Sequence, residues 1–429
     1  MGAAATTRLL GAISSATRAG NPPGRTHGHY ARRMALAQLT RSTPGALPEL
    51  RFDRADLAGA VADLGVLVPI AVALIVSNGL SATAVLVPAG LLYVFVGLYY
   101  RVPVGVQPLK AFGAIAIAAG VGAAEIAAGA LLMGAVFLLL GYTRTLDRAA
   151  ALFPRPVIRG VQLSVGLLLG TLAWGLLTSP PAAFAGSDLP AGWLVAAGVA
   201  VAGMAFALRG RGITLALVAL AGCIAVATYD GPWTPGPSGL ALPSLDAAAF
   251  ATAAIVLVVP QLPLTFANSC VATADAARTY FGPAAHRVQP GRLGISLGTA
   301  NLLAGSLGGM PVCHGAGGMT AHRAFGARTG AAPLVLGSLL IALALGAGTI
   351  LGPLLGGFPV PVLAGLLAVA GAMHIALLRD LEGPVEWLLA IGIGVAAVLG
   401  GLALALAGGL VLWWGGRAVR SHVASRAGK

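Results

Sequence analysis

Two short stretches of this sequence carry groups suited to holding an anion. The first is Gln107-Pro108-Leu109-Lys110, entered through Pro103 and Gly105. These prolines and the glycine prevent a continuous helix, and Pro108 suits a first helical position, so a half-helix is expected to start there. A helix start offers unpaired N–H donors and the positive end of the dipole, and both favour an anion. Gln107 can donate through its amide, and Lys110 falls in the first turn. The alternatives are that Lys110 reaches the inner membrane surface or pairs with Asp63.

The second stretch is Gly308-Gly-Met-Pro-Val-Cys-His-Gly-Ala-Gly-Gly-Met-Thr320. Pro311 and the glycines make extended backbone, with a half-helix expected to begin near His314. Glycines let backbone N–H groups approach an oxyanion without side-chain clash, so Gly315 and Gly317 join Cys313 and His314 as candidates. His314 could equally be a satisfied structural histidine. Further polar groups inside apolar runs are Asp63, Glu125, Gln261, Asn268 and Ser269. Gln261 and Asn268 are candidate substrate ligands, and Asp63 is a candidate for ion coupling or for holding Lys110. His322 and Arg323 are expected near the cytoplasmic end of their segment. No metal-ligand spacing, Walker loop or nucleophile–base pair occurs, which argues against an enzyme and implies no cofactor. Cys223, Cys270 and Cys313 read as buried free thiols.

Something must place these groups, and composition says what. Hydrophobic residues make up 58% of the 429 and charged residues only 9%, against roughly 25% charged in soluble proteins. A chain this apolar needs lipid as its solvent. The 62 glycines allow close helix approach. The net charge of +13 is scattered in short clusters between apolar runs, which excludes a nucleic-acid surface.

Spans are expected at about 57–77, 83–99, 107–120, 124–141, 157–178, 192–208, 212–229, 248–268, 292–307, 313–325, 331–352, 359–378, 384–399 and 400–416. If the N-terminus is inside, every Arg falls in an inner loop or tail, while Asp188, Asp230 and Asp246 fall outside. Both termini are then cytoplasmic, and Lys110 is the basic residue that no inner loop can hold. At the bilayer centre a lysine costs at least ~2.5 kcal/mol, so it is rarely idle there.

The expected fold is therefore all-α and polytopic, with about fourteen segments in two inverted halves, each with a short broken third segment, which points to a transporter's central site. The halves are 51–229 and 248–416, joined by an extracytoplasmic linker 230–247 and followed by a short tail 417–429. Residues 1–50 are basic and rich in Ser and Thr. They read as a disordered tail, an over-extended start before Met34, or a transit peptide. The expected location is the cell (inner) membrane, or an organellar membrane if they are a transit peptide.

Val104-Gly-Val-Gln-Pro-Leu-Lys-Ala111 resembles a motif of the molybdate transporter family, relatives of the sulfate permeases. Met310-Pro-Val-Cys-His-Gly-Ala-Gly-Gly318 followed by Arg323-Ala-Phe-Gly-Ala-Arg-Thr-Gly330 is similar to its second signature. Ala62-Asp-Leu-Gly65, Gln261-Leu-Pro-Leu-Thr265 and Asn268-Ser269 also resemble family segments. Gly105, Leu109 and Val312 depart from the pattern without removing a candidate ligand. The resemblance implies a sulfate-permease-like fold with gate and core domains and uptake of molybdate, a tetrahedral dianion. Such permeases commonly carry a cytoplasmic regulatory domain; the short tail here favours the molybdate branch. The competing expectations are a sulfate or general oxyanion carrier and, from another class, an anion channel. A homodimer in lipid is compatible with either.

Overall fold

In the computed structural model, which describes residues 47–180, 198, 213–240 and 242–427, the apolar runs become helices. They are α1 (Arg54–Ser77), α2 (Ala82–Tyr99), α3 (Lys110–Ala118), α4 (Ala123–Tyr142), α5 (Thr145–Ala150), α6 (Arg155–Thr178) and α7 (Ile213–Ala227). There follow α8 (Ala247–Ala285), α9 (Pro290–Ser306), α10 (Ala316–Ala324), α11 (Ala331–Gly346), α12 (Leu351–Gly356), α13 (Val360–Asp380), α14 (Pro384–Gly400) and α15 (Leu402–Ala427). Strand β1 (Gly105–Pro108) precedes α3, and β2 (Val312–Gly315) precedes α10. Among the described residues, seven helices are long and apolar enough to cross a membrane, and α11 and α14 are shorter apolar helices. Their outer faces suit lipid: Leu399 is 82% exposed, Leu404 76% and Ile255 72%.

The expected spans coincide with these helices, apart from 192–208 and the N-terminal tail up to residue 46, which lie outside the described residues. Three details differ from expectation. Pro108 ends β1, so α3 starts two residues later at Lys110; likewise α10 starts at Ala316 and His314 lies in β2. Pairing between the two segments holds these residues extended, where each alone reads as a helix start. The span begun at 247 continues as one helix to Ala285, through π-helical turns at Ala253–Val258 and Thr265–Ala272. Pro260 and Pro263 lie between those turns and withhold N–H donors there, and π-turns are a way of re-spacing the ladder. Cys223 is exposed on α7, while Cys270 and Cys313 are buried. His322, in the last turn of α10, is fully buried.

Helix pairing follows the glycines. α2 packs on α11, α4 on α9 and α6 on α13. A Cβ at Gly97 would meet Gly330 O at 2.5 Å, one at Gly141 would meet Gly291 O at 2.7 Å, and one at Gly371 would meet Gly166 O at 2.8 Å. Each pair thus touches backbone to backbone, the close approach that small residues permit in lipid. By segment order, exchanging the two halves maps α2·α11 onto α9·α4 and maps α6·α13 onto itself.

Candidate functional site

β1 and β2 form a two-stranded antiparallel ribbon, with Gly105 opposite Gly315, Val106 opposite His314, Gln107 opposite Cys313 and Pro108 opposite Val312. Each strand feeds its helix at its own C-terminal end. The starts of α3 and α10 are therefore separated by the length of the ribbon, about 10 Å, and their helices run apart. The other edge of β2 is covered by Asn301, whose Nδ2 donates to Val312 O (2.9 Å) and whose Oδ1 accepts from Val312 N (2.7 Å). Asn301→Ala leaves both backbone groups buried and unpaired. It is expected to lower stability by about 2–3 kcal/mol, read as a lower Tm of the purified protein in detergent.

A chain of buried polar groups runs across the ribbon. Lys110 Nζ donates to Gln107 Oε1 (2.6 Å), Gln107 Nε2 donates to Asp63 Oδ1, and Tyr93 Oη donates to Asp63 Oδ2 (2.5 Å). His322 Nε2 stands 3.6 Å from the same Oδ2. Asp63, Gln107 and His322 are fully buried, and Lys110 is 4% exposed. Lys110 and Asp63 are thus joined through Gln107. Glycines make the room: a Cβ at Gly318 would lie 2.7 Å from Asp63 Oδ2, and one at Gly315 would overlap Gln107 Oε1.

Lys110 also lines a cavity of about 360 Å³, where it is the one charged residue among the described lining residues. Pro69, Ala114, Leu168, Thr171 and Ser179 are among the others. These lie on the later halves of α1, α3 and α6, so the cavity runs from the ribbon toward the ends of those helices. As first residues of α3, Lys110 and Ala111 have N–H groups with no acceptor inside the helix.

Gln261 Oε1 accepts from Phe112 N (2.9 Å) and its Nε2 donates to Thr265 Oγ1 (2.9 Å), so it caps the first turn of α3 from α8. His314 holds Ser296 Oγ through Nε2 (2.7 Å) and faces Gly105 O through Nδ1 (3.4 Å). Cys313 Sγ lies 3.8 Å from Pro108 O. A Cβ at Gly317 would lie 3.0 Å from Leu169, so α6 crosses the start of α10. Asn268 lies in the second π-turn of α8, which packs against β2. Its Oδ1 has no hydrogen-bond partner. Thr320 bonds Tyr280 and His374 deeper in α10. The structure therefore gathers the candidates around one ribbon, while giving Gln107, Gln261 and His314 protein partners.

At the opposite end of α6 from the cavity, Arg159 is 2% exposed and ties three elements together. Its Nε donates to Asp380 Oδ1 (2.8 Å), its Nη2 to Asp380 Oδ2, and its Nη1 to Asp275 and to Gln162 Oε1 (2.7 Å). α6, α8 and α13 meet there.

A family profile described as "Molybdate transporter of MFS superfamily" matches residues 55–169 and 253–373, more than half of the chain, with Asp63, Lys110, Arg159, Gln261 and His322 inside the match. The chain belongs to the molybdate transporter family. Similar relatives are Molybdate transporter 2 of Arabidopsis thaliana, 28% identical over 74% of this chain and 77% of that protein, and Molybdate transporter 1 of Chlamydomonas reinhardtii, 29% identical over 77% and 84%. Among solved structures, the transmembrane domain of a cyanobacterial bicarbonate transporter, BicA, superposes with TM-score 0.54 at 20% identity, covering 83% of this chain and 98% of that one. The murine anion transporter Slc26a9 in its inward-facing state gives 0.58 at 14%, covering 96% and 75%. The family's profile is named for the MFS superfamily, but this member has the fold of these anion transporters, as the sequence implied.

Sequence reasoning missed two residues of the candidate site. His322 follows Gly318 by four, so the two share a face of α10, but that this face abuts Asp63 depends on the folded chain. Tyr93 had no signal, because it sits mid-helix among aliphatic residues like any core aromatic. The Phe325–Gly330 string proves to be a latch for α1. Asp56 accepts from Arg328 N (2.7 Å), Thr329 N (3.0 Å) and Thr329 Oγ1 (3.1 Å).

Proposed function

We propose that this chain carries molybdate across its membrane by alternating access, with the dianion held between the starts of α3 and α10. The observation that carries the reading is Lys110: a buried ammonium on the first residue of a half-helix, lining the cavity. The relatives' substrate supports molybdate as the cargo. In this reading Lys110 and the free N–H groups at both helix starts bind the oxyanion. Gln107, Gln261 and His314 hold those starts in place, and Gly315 and Gly317 let Gln107 and Leu169 pack against the start of α10. Asn268 Oδ1, buried and unpaired on the π-turn that packs against β2, is an acceptor available to a bound water.

The loop charges support an N-terminus and a C-terminus in the cytoplasm. On that topology the cavity lies on the outer side and the Arg159 cluster on the inner side, an outward-facing arrangement. The exchange of α2·α11 with α9·α4 supports inverted halves at 51–229 and 248–416. A channel would need both sides passable at once, and the Arg159 cluster argues against that.

The test is uptake of labelled molybdate by cells or vesicles containing the protein. Uptake is expected to saturate and to persist in a large excess of sulfate. Equal competition by sulfate would make the protein a general oxyanion carrier, and non-saturating flux would make it a channel.

A further inference from the structure

Buried next to the anion site is a group pair whose hydrogen-bond inventory does not close. His322 Nδ1 lies 2.7 Å from Gly59 O. A carbonyl oxygen only accepts, so Nδ1 must carry a hydrogen. In a neutral ring Nε2 is then a bare lone pair. That nitrogen is buried, makes no hydrogen bond and stands 3.6 Å from Asp63 Oδ2. Two lone pairs so placed away from water repel, and one proton between the two groups removes the conflict. Tyr93 and Gln107 already donate to Asp63 and leave this position to a further hydrogen. The groups facing the pair are Tyr93 from α2, the Cys313 thiol from β2 and, through Gln107, Lys110 on α3.

We propose that Asp63 and His322 form a proton site that loads and unloads with the transported anion, making the protein a proton symporter. This rests on the transport reading above. Charge explains the coupling. Without the extra proton, Asp63 and Lys110 cancel, and Gln107 holds the ammonium toward the carboxylate. With it, the site carries one net positive charge, and Lys110 is released to face a dianion in the cavity. Proton binding therefore strengthens anion binding, and by reciprocity the bound anion strengthens proton binding. Gly318 and Gly105 fix the geometry: a Cβ at either would lie within 2.9 Å of an Asp63 oxygen. Because the histidine rides on α10 and the aspartate on α1, movement of the half-helix would open or close the pair.

The experiment uses the full chain in proteoliposomes with a pH-sensitive dye inside and the membrane potential clamped. Addition of molybdate outside is expected to acidify the lumen, with about one proton entering per anion, and an inward gradient of about one pH unit should raise molybdate accumulation about tenfold. The ratio of protons to anions should collapse in His322→Gln, with Asp63→Asn as the second variant. A ratio does not depend on how much protein folds or how fast it works. Molybdate uptake with no proton movement in the unsubstituted protein overturns the symport proposal and leaves the transport reading standing. Absence of any molybdate uptake overturns both. Proton movement that persists at the same ratio in both variants overturns the assignment to this pair.

Discussion

Replacing Lys110 by alanine is expected to abolish molybdate uptake while leaving the protein in the membrane at normal levels. The side chain is 4% exposed, and among the described residues its ammonium has one hydrogen-bond partner, the neutral Gln107 Oε1, at 2.6 Å. An ion held mainly for structure would be paired with a carboxylate, as Arg159 is. Here Asp63 is joined to it only through the Gln107 amide. A hydrogen bond to a charged partner contributes roughly 1.5–3 kcal/mol, and the loss of positive charge facing a dianion adds to it. A fall of at least about a hundredfold in uptake at low molybdate follows. Lys110→Arg is expected to retain part of the activity, because the charge survives, although the larger guanidinium disturbs Gln107. The measurement is initial uptake rate against surface abundance for each variant. Uptake kinetics unchanged in Lys110→Ala would remove the residue from the anion site and, with it, the central observation behind the functional reading.

This lysine also marks how far the sequence could be read. Apolar length and punctuation located the helices because a bilayer demands long uninterrupted runs, and loop arginines singled out Lys110 as the residue no inner loop could hold. The two broken segments could be seen as broken, but that they pair as β1 and β2 depends on residues about two hundred positions apart coming together, and no local pattern carries that. For the same reason the helix starts were placed slightly early, at Pro108 and near His314. The ligand candidates illustrate a second limit. Gln107, Gln261 and His314 were recognisable as polar groups in apolar runs, yet a sequence does not say whether such a group faces a substrate or satisfies a helix start. In the structure Gln261 gives its oxygen to Phe112 N, and His314 spends its ring on Ser296 and Gly105 O. Arg159 was read as one more inner-loop arginine, because its partners Asp275 and Asp380 lie more than a hundred residues downstream.

That arginine carries the second large effect. Arg159→Ala is expected to shift the protein away from the outward-facing arrangement and to suppress net uptake. The guanidinium bridges α6 to both α8 and α13, and removing it leaves Asp275 without its partner and Asp380 with only Arg155 beside it. Asp275 is mostly buried but Asp380 is 42% exposed, so the loss falls below that of a fully buried pair, at roughly 2–3 kcal/mol. If these bonds exist only while the inner side is closed, the closed form loses that amount relative to the open one, a population shift of at least about tenfold. The readout is accessibility. With Cys223 replaced, a cysteine at Thr171 in the cavity is expected to react with a membrane-impermeant thiol reagent from outside, and to lose that reactivity when Arg159→Ala is added. A triple variant, Arg159→Met with Asp275→Asn and Asp380→Asn, removes the lock without stranding a charge and should show the same loss with less cost in stability. Reactivity at position 171 that stays unchanged in both variants would mean the cluster fastens the three helices in every state, because only bonds confined to one state can bias the equilibrium between states.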